Sequence, residues 1–283
     1  MIPFAGRADP GFPGSLALNG RFLWFSALVL LVSLALAVII GGFFAVIPAF
    51  AGLTRKARAV ASVCLAIAIL AAAVVAFSKA RTFLIVEQVL APIGGPLAPG
   101  VGHFLQTVAS IARAVTFAAA AALVAMACTT IGSTSDSKEA RPEEHLRFQV
   151  ARLQVVLYAG GALLVLATVE FKLFFDWIIL AFPSSLQASL RPVIAASLEG
   201  SGAVYSAFLA ATYVPASLIL RNRAAGLSYS VSPELGMSER SRWLEERGLA
   251  PTWLRTLGRT LVVLSPYIAT APLDALVKLL KGA

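Results

Sequence analysis

Charged residues are scarce in this chain, and their scarcity excludes most soluble folds. Asp, Glu, Lys and Arg make up 13% of the 283 residues, whereas a soluble domain carries about 25%. Hydrophobic residues make up 59%, and the mean hydropathy is +0.85. Several apolar runs reach the roughly 20 residues that are needed to cross the hydrocarbon core of a bilayer. The sequence therefore predicts an all-α, polytopic transmembrane helical bundle.

Cysteine and histidine are also scarce, with two of each. Cys64 and Cys128 lie in apolar runs, and His103 and His145 fall in segments that are predicted on opposite sides of the membrane. A closed zinc site needs four such ligands together, and a Ser-His-Asp arrangement needs a histidine beside both partners. We therefore expect no enzymatic activity, no catalytic residue, no metal and no cofactor.

The apolar runs predict about five spans, which we place at residues 22–50, 59–78, 109–131, 153–182 and 201–220. Residues 1–21 form a flexible N-terminal segment, residues 22–220 the transmembrane domain, and residues 184–200 a loop. Residues 221–252 form a short cytoplasmic helical segment, with one helix starting at Pro233 and a second ending at Gly248. The apolar part of residues 253–283 is only about 14 residues long, which is too short to span. It predicts an interfacial or re-entrant C-terminal helix.

Basic residues are distributed unevenly between the spans. Residues 51–58 carry three, residues 132–152 four and the chain after residue 220 nine, whereas the opposite side carries five. Because cytoplasmic loops are enriched in Lys and Arg, we expect a plasma or inner membrane protein with its N-terminus outside and its C-terminus in the cytoplasm. Topology accounts for the net charge of +9, so no nucleic-acid partner is expected. The expected partners are the lipid bilayer and either further copies of the chain or other membrane subunits.

Two helices are predicted to extend beyond the membrane on the outer side, near residues 79–92 and 170–182, because no helix breaker appears until Pro92 and Pro183. The second extension keeps an apolar face with helical spacing. That face must pack against residues 79–107 or against another subunit, and it consists of Phe171, Phe174, Phe175, Ile178, Ile179 and Phe182.

Three groups of residues are candidates for a functional site. The polar side of the extension, with Glu170, Lys172 and Asp176, predicts an outer mouth or an interface, or else a solvated helix face. Tyr205, Thr212, Tyr213 and Ser217 predict either a polar path or interhelical hydrogen bonds. Gly41 and Gly42 predict either a hinge or close helix packing.

No titratable residue falls at a predicted bilayer midplane, where charge is costly and usually functional. This absence disfavours an ion-coupled transporter. The small size of the chain, the helices rich in small residues and the outward extensions favour an oligomeric channel or pore-type membrane effector. A small-solute transporter and a structural or assembly subunit of a larger membrane complex are the alternatives.

Overall fold

The computed structural model describes residues 14–51, 99–132, 142–179, 184–231, 233–234, 236–249 and 253–270, with a few isolated positions between residues 55 and 66. The described residues form helices and no strand. The helices are α1 (Gly14–Ala51), α2 (Pro99–Gly132), α3 (Pro142–Ile179), α4 (Ser184–Val231), α5 (Met237–Glu246) and α6 (Trp253–Ile268).

Four of these helices are long and apolar enough to cross a membrane. The candidate spans are Phe22–Ile47 in α1, Ser110–Ile131 in α2, Pro142–Asp176 in α3 and Gln187–Val231 in α4. They overlap four of the five predicted spans, and the remaining one, residues 59–78, lies almost wholly outside the described residues. The prediction of an all-helical fold is confirmed for the described part of the chain, and the four candidate spans indicate a membrane protein.

The helices are longer than the sequence predicted. Residues 184–200, predicted as a loop, form the first turns of α4, which continues through Pro192 and Pro215. A proline removes one backbone hydrogen bond from a helix, but Leu, Ala, Gln and Glu beside Pro192 are good helix formers and the helix persists. The same helix continues past residue 220 into the segment that was predicted to be separate. Similarly, α1 begins at Gly14, within the predicted flexible segment, and α2 begins at Pro99, within the predicted outer connection.

Small residues allow the long helices to approach one another closely. Ala35 of α1, Ala119 of α2 and Ala216 of α4 are fully buried, and Leu157 and Leu163 of α3 fill the centre between them. In lipid, where apolar burial drives helix association only weakly, such close packing holds helices together. The middle of the bundle is therefore a dry core of Ala and Leu side chains.

The short helix α5 closes one end of the bundle. It begins after Gly236, whose backbone N–H donates to the Glu239 carboxylate at 3.2 Å, and it corresponds to the second of the two predicted helices. The end predicted for that helix is confirmed, because Gly248 adopts a φ of 69°. The other prediction, a helix that starts at Pro233, is wrong, because Pro233 and Glu234 form a turn. Arg247 then forms an ion pair of 2.8 Å with Glu143 at the start of α3.

Helix α6 packs lengthwise along α3 and α4. Val262 lies against Gly161 in the middle of α3, and Thr270 lies against Gly202 of α4. Pro266 leaves the carbonyl of Val262 without its usual helical donor, and the Ser265 hydroxyl donates to that carbonyl at 2.7 Å. These contacts place α6 in a groove between α3 and α4, while Leu257, Leu261 and Leu264 on its other side stay exposed. Whether the chain returns after residue 270 lies outside the described residues.

Candidate functional site

A carboxylate from α3 meets groups from three other helices near one end of the candidate spans. The indole Nε1 of Trp24 on α1 donates a hydrogen bond of 2.6 Å to Oε1 of Glu170. Arg113 of α2 and Tyr205 of α4 lie close enough to interact electrostatically with Glu170 and with each other. We call Trp24, Arg113, Glu170 and Tyr205 the Glu170 cluster.

Aromatic packing positions the hydrogen-bonded pair of this cluster. The ring of Trp24 lies 5.6 Å, centroid to centroid, from that of Phe174, which is one turn beyond Glu170 on α3. Both rings are buried together with Leu28 and Ala112. Two members of the apolar face predicted on this part of α3, Phe174 and Phe175, therefore pack against α1 and α2 within the same chain. Because the indole is fixed, its N–H points at the carboxylate.

The charge state of Glu170 is sensitive to the groups that surround it. An ionised carboxylate is costly in a low-dielectric interior unless cations and donors compensate it. Here Arg113 supplies the compensating charge and Trp24 a donor. Protonation of Glu170, or binding of an external cation, would weaken its attraction for Arg113. The charge state of a single side chain is thus linked to contacts among four helices.

The other residues of the predicted outer mouth lie elsewhere on α3. Asp176 is exposed and lies about 9 Å further along the helix axis than Glu170. Lys172 is half-buried. The structure therefore brings Glu170 together with a cation from another helix rather than into a carboxylate pair with Asp176.

The predicted polar path divides into separate parts. Thr212 and Ser217 donate their hydroxyls to carbonyls of their own helix, those of Phe208 and Val214. Tyr205 belongs to the Glu170 cluster. Tyr213 is buried and accepts a hydrogen bond from the guanidinium of Arg259 on α6, with Tyr158 nearby. The described residues thus provide two polar positions on α4 rather than one lined path.

A second charged position lies at the opposite end of the bundle. Nη2 of Arg152 on α3 donates to the carbonyl oxygen of Ala45 on α1 at 2.6 Å, and it lies 3.4 Å from the hydroxyl of Thr129 on α2. Arg152 and Glu170 are separated by about five turns of α3, or about 27 Å. A hydrocarbon core is about 30 Å thick. The two positions therefore lie near opposite boundaries of the apolar region.

The glycine pair of α1 has one packed member and one open member. A Cβ atom on Gly42 would lie 3.1 Å from Cβ of Ala122, whereas nothing lies within 4 Å of a Cβ atom on Gly41. This asymmetry favours close packing over a hinge as the role of the pair.

Substitutions at these two glycines distinguish packing from hinge motion. Gly42→Leu is expected to lower the free energy of unfolding by about 1–3 kcal/mol, because the side chain overpacks the contact with α2. Gly41→Leu, one residue away and facing open space, is the matched control and should change stability little. Thermal unfolding of the purified variants measures both effects. A larger loss of stability in the Gly41 variant would contradict the packing role.

Sequence reasoning found Glu170 but not its partners. Trp24 and Arg113 fall near predicted interfaces, where tryptophan and arginine are ordinary, and so neither indicated a site. In the sequence, Arg152 and Arg259 indicate only loop and tail charges. Glu170 and Arg113 lie near the ends of apolar runs, and nothing in the sequence indicates that the two side chains face each other.

The described residues contain no group of three or more His, Cys, Asp and Glu side chains that could hold a metal ion. Comparison with protein-family models, with curated proteins and with solved structures gave no match. What the chain is must therefore be argued from its own residues. Its four long apolar helices indicate a membrane protein.

Proposed function

We propose that this chain is a small-solute transporter in which protonation of Glu170, or binding of a cation to it, is coupled to movement of the helices. The observation that carries the proposal is the Glu170 cluster, which joins one carboxylate to three other helices. This reverses the order expected from the sequence, where the lack of an evident intramembrane charge favoured a channel.

Stability alone does not account for the charged groups of the Glu170 cluster. Replacing interacting charged groups inside a bundle with packed apolar residues is often neutral or stabilising, and the adjacent core already consists of such residues. Ionisable groups that face the interior of a membrane bundle usually mark pathways for ions, protons or substrates, and the groups of the Glu170 cluster face that interior at one end of the candidate spans. A link between charge and packing is what an ion-coupled transporter needs, because occupancy of the site must change which helix arrangement is favoured.

Transport can be tested with the purified protein in liposomes. With a pH-sensitive dye trapped inside and a panel of small organic cations added outside, we expect solute-dependent proton movement. Glu170→Gln should lower the rate at least about tenfold, since it removes the titrating group while keeping an acceptor for Trp24. Asp176→Asn, an exposed carboxylate on the same helix, is the control and should transport normally. Absence of any solute-dependent proton movement by inserted protein would count against the proposal.

An oligomeric channel or pore-type effector is the second candidate. Its support is the lipid-facing side of α1, which exposes Phe22, Phe25, Phe43 and Phe44 and offers a surface for further copies. The described helices leave a packed core, so a conducting path would have to lie between chains. Single-channel currents from the same preparation would favour this candidate. Stable co-purification with other chains would favour the third, a subunit of a larger membrane complex.

We also propose that the Glu170 end faces outside, with the protein in a plasma or inner membrane. The exposed arginines at the opposite end support this orientation, because cytoplasmic surfaces are enriched in basic residues. They are Arg147, Arg221, Arg223 and Arg242. The proposal assigns the chain no catalytic chemistry and no cofactor.

A further inference from the structure

We propose that Arg152 is the centre of a binding site for a phosphate group, at the junction of α1, α2 and α3. The site is distinct from the Glu170 cluster and does not depend on the transport proposal. The phosphate group could belong to a lipid headgroup or to a free anion.

The two acceptors that Arg152 contacts among the described residues are neutral. Its Nη2 atom donates to the Ala45 carbonyl at 2.6 Å and makes a long contact of 3.4 Å with the Thr129 hydroxyl. That hydroxyl in turn donates to the carbonyl of Met126 at 3.0 Å, which leaves its oxygen to accept. The Nε atom of Arg152 is buried without a hydrogen-bond partner. A guanidinium has five donors, so much of its capacity is unused.

The charge of Arg152 is also uncompensated within the described part of the chain. Arg113, at the other end of the bundle, interacts with Glu170. No charged side chain among the described residues has a comparable interaction with Arg152. A half-buried cation without a counter-charge is still unfavourable, because burial removes part of its hydration. Binding of an anion would remove this penalty.

The location of Arg152 suits a phosphate group. It lies about 27 Å along α3 from Glu170, which places it near the edge of a hydrocarbon core about 30 Å thick. Its side chain is half-buried, and its guanidinium has donor capacity that no described protein acceptor uses. Arginine binds phosphate through two parallel hydrogen bonds.

The test uses the full chain in maltoside micelles and a phosphate-free buffer. Thermal unfolding is followed by tryptophan fluorescence while either phosphatidylglycerol or inorganic phosphate is added. A ligand that binds the folded state raises the unfolding midpoint in proportion to its occupancy. We expect the midpoint of the native sequence to rise, and the apparent affinity to fall roughly tenfold to a hundredfold in Arg152→Gln.

Two further variants make the result interpretable. Arg152→Lys keeps the charge and the fold but loses the bidentate geometry, so it should bind more weakly than the native sequence and more tightly than Arg152→Gln. Arg147→Gln removes an exposed arginine on the same helix and should retain the native affinity to within about twofold.

The outcomes also separate the two sources of phosphate. A rise with phosphatidylglycerol alone supports the site and assigns it to a lipid headgroup, and a rise with inorganic phosphate as well supports it and admits a free anion. If neither ligand raises the midpoint of the native sequence, the proposal is overturned. It is equally overturned if Arg152→Gln and Arg152→Lys respond as the native sequence does.

Discussion

Glu170→Gln is expected to destabilise the protein more than the double substitution Glu170→Gln with Arg113→Gln. The single change leaves the guanidinium of Arg113 in the bundle without its counter-charge. The two groups interact electrostatically without forming a close ion pair, and both side chains are only half-buried, so we expect a loss of about 1–2 kcal/mol. For a chain of this size that corresponds to a fall in the unfolding midpoint of about 2–8 °C. Removing both charges should restore most of this loss.

A double-mutant cycle measures the interaction directly. The two single variants and the double variant should give a coupling free energy of about 1–3 kcal/mol. Asp176→Asn serves as the control, since that carboxylate is exposed on the same helix. Additive effects would mean that Glu170 and Arg113 do not stabilise each other.

The double variant also separates stability from function. If the cluster only holds helices together, a double variant that folds well should transport as the native sequence does. If Glu170 is the coupling group, the same variant should fold but fail in the liposome assay.

Trp24→Phe tests the hydrogen bond of the cluster. It removes the donor of the 2.6 Å hydrogen bond while keeping the ring against Phe174. It should cost about 1.5–3 kcal/mol, as expected for a hydrogen bond to a charged acceptor.

The helices could be predicted from the sequence because length and composition decide them. In lipid, a run such as residues 22–50 must satisfy its backbone hydrogen bonds within one helix. Helix ends were harder to predict, since proline was given too much weight: Pro192 was interpreted as part of a loop and Pro233 as a helix start. In both cases the neighbouring residues decided the outcome.

The site could be predicted only in part, for a geometric reason. Trp24 and Glu170 are 146 residues apart in sequence, and no periodicity within one helix indicates which face of another helix it will meet. Glu170 stood out as a carboxylate near an apolar run, but its pairing with Arg113 depends on how α2 and α3 are rotated. The role of Gly202 could not be predicted for the same reason. In the sequence, a glycine that allows a neighbouring helix to approach closely cannot be distinguished from any other glycine.

Gly202→Leu is expected to displace α6 from its groove. A Cβ atom at this position would lie 2.9 Å from the carbonyl oxygen of Pro266 and 3.0 Å from Cα of Tyr267. Both are backbone atoms, so a change of rotamer cannot relieve the contact. Moving the helix away would also break the hydrogen bond of 3.2 Å from the Tyr267 N–H to the Ser206 hydroxyl. We expect a loss of at least about 3 kcal/mol, at the upper end of the effect of overpacking.

The chain supplies a close control two residues away. Nothing lies within 4 Å of a Cβ atom on Gly200, so Gly200→Leu should be neutral or slightly stabilising, because leucine is the better helix former. Hydrogen exchange followed by mass spectrometry provides the local readout. Amides of residues 253–268 should exchange faster in Gly202→Leu than in Gly200→Leu, while those at the centre of α3 stay protected.

Gly161 provides an intermediate case that tests the geometry itself. A Cβ atom there would lie 2.6 Å from Cγ1 of Val262 but 3.5 Å from the carbonyl oxygen of that residue. The close contact is with a side chain, which can move, and the backbone contact is an ordinary one. The loss of stability should therefore follow the order Gly202→Leu, then Gly161→Leu, then Gly200→Leu. An equal response at all three positions would show that α6 does not depend on these glycines, and the groove between α3 and α4 would then not be its binding surface.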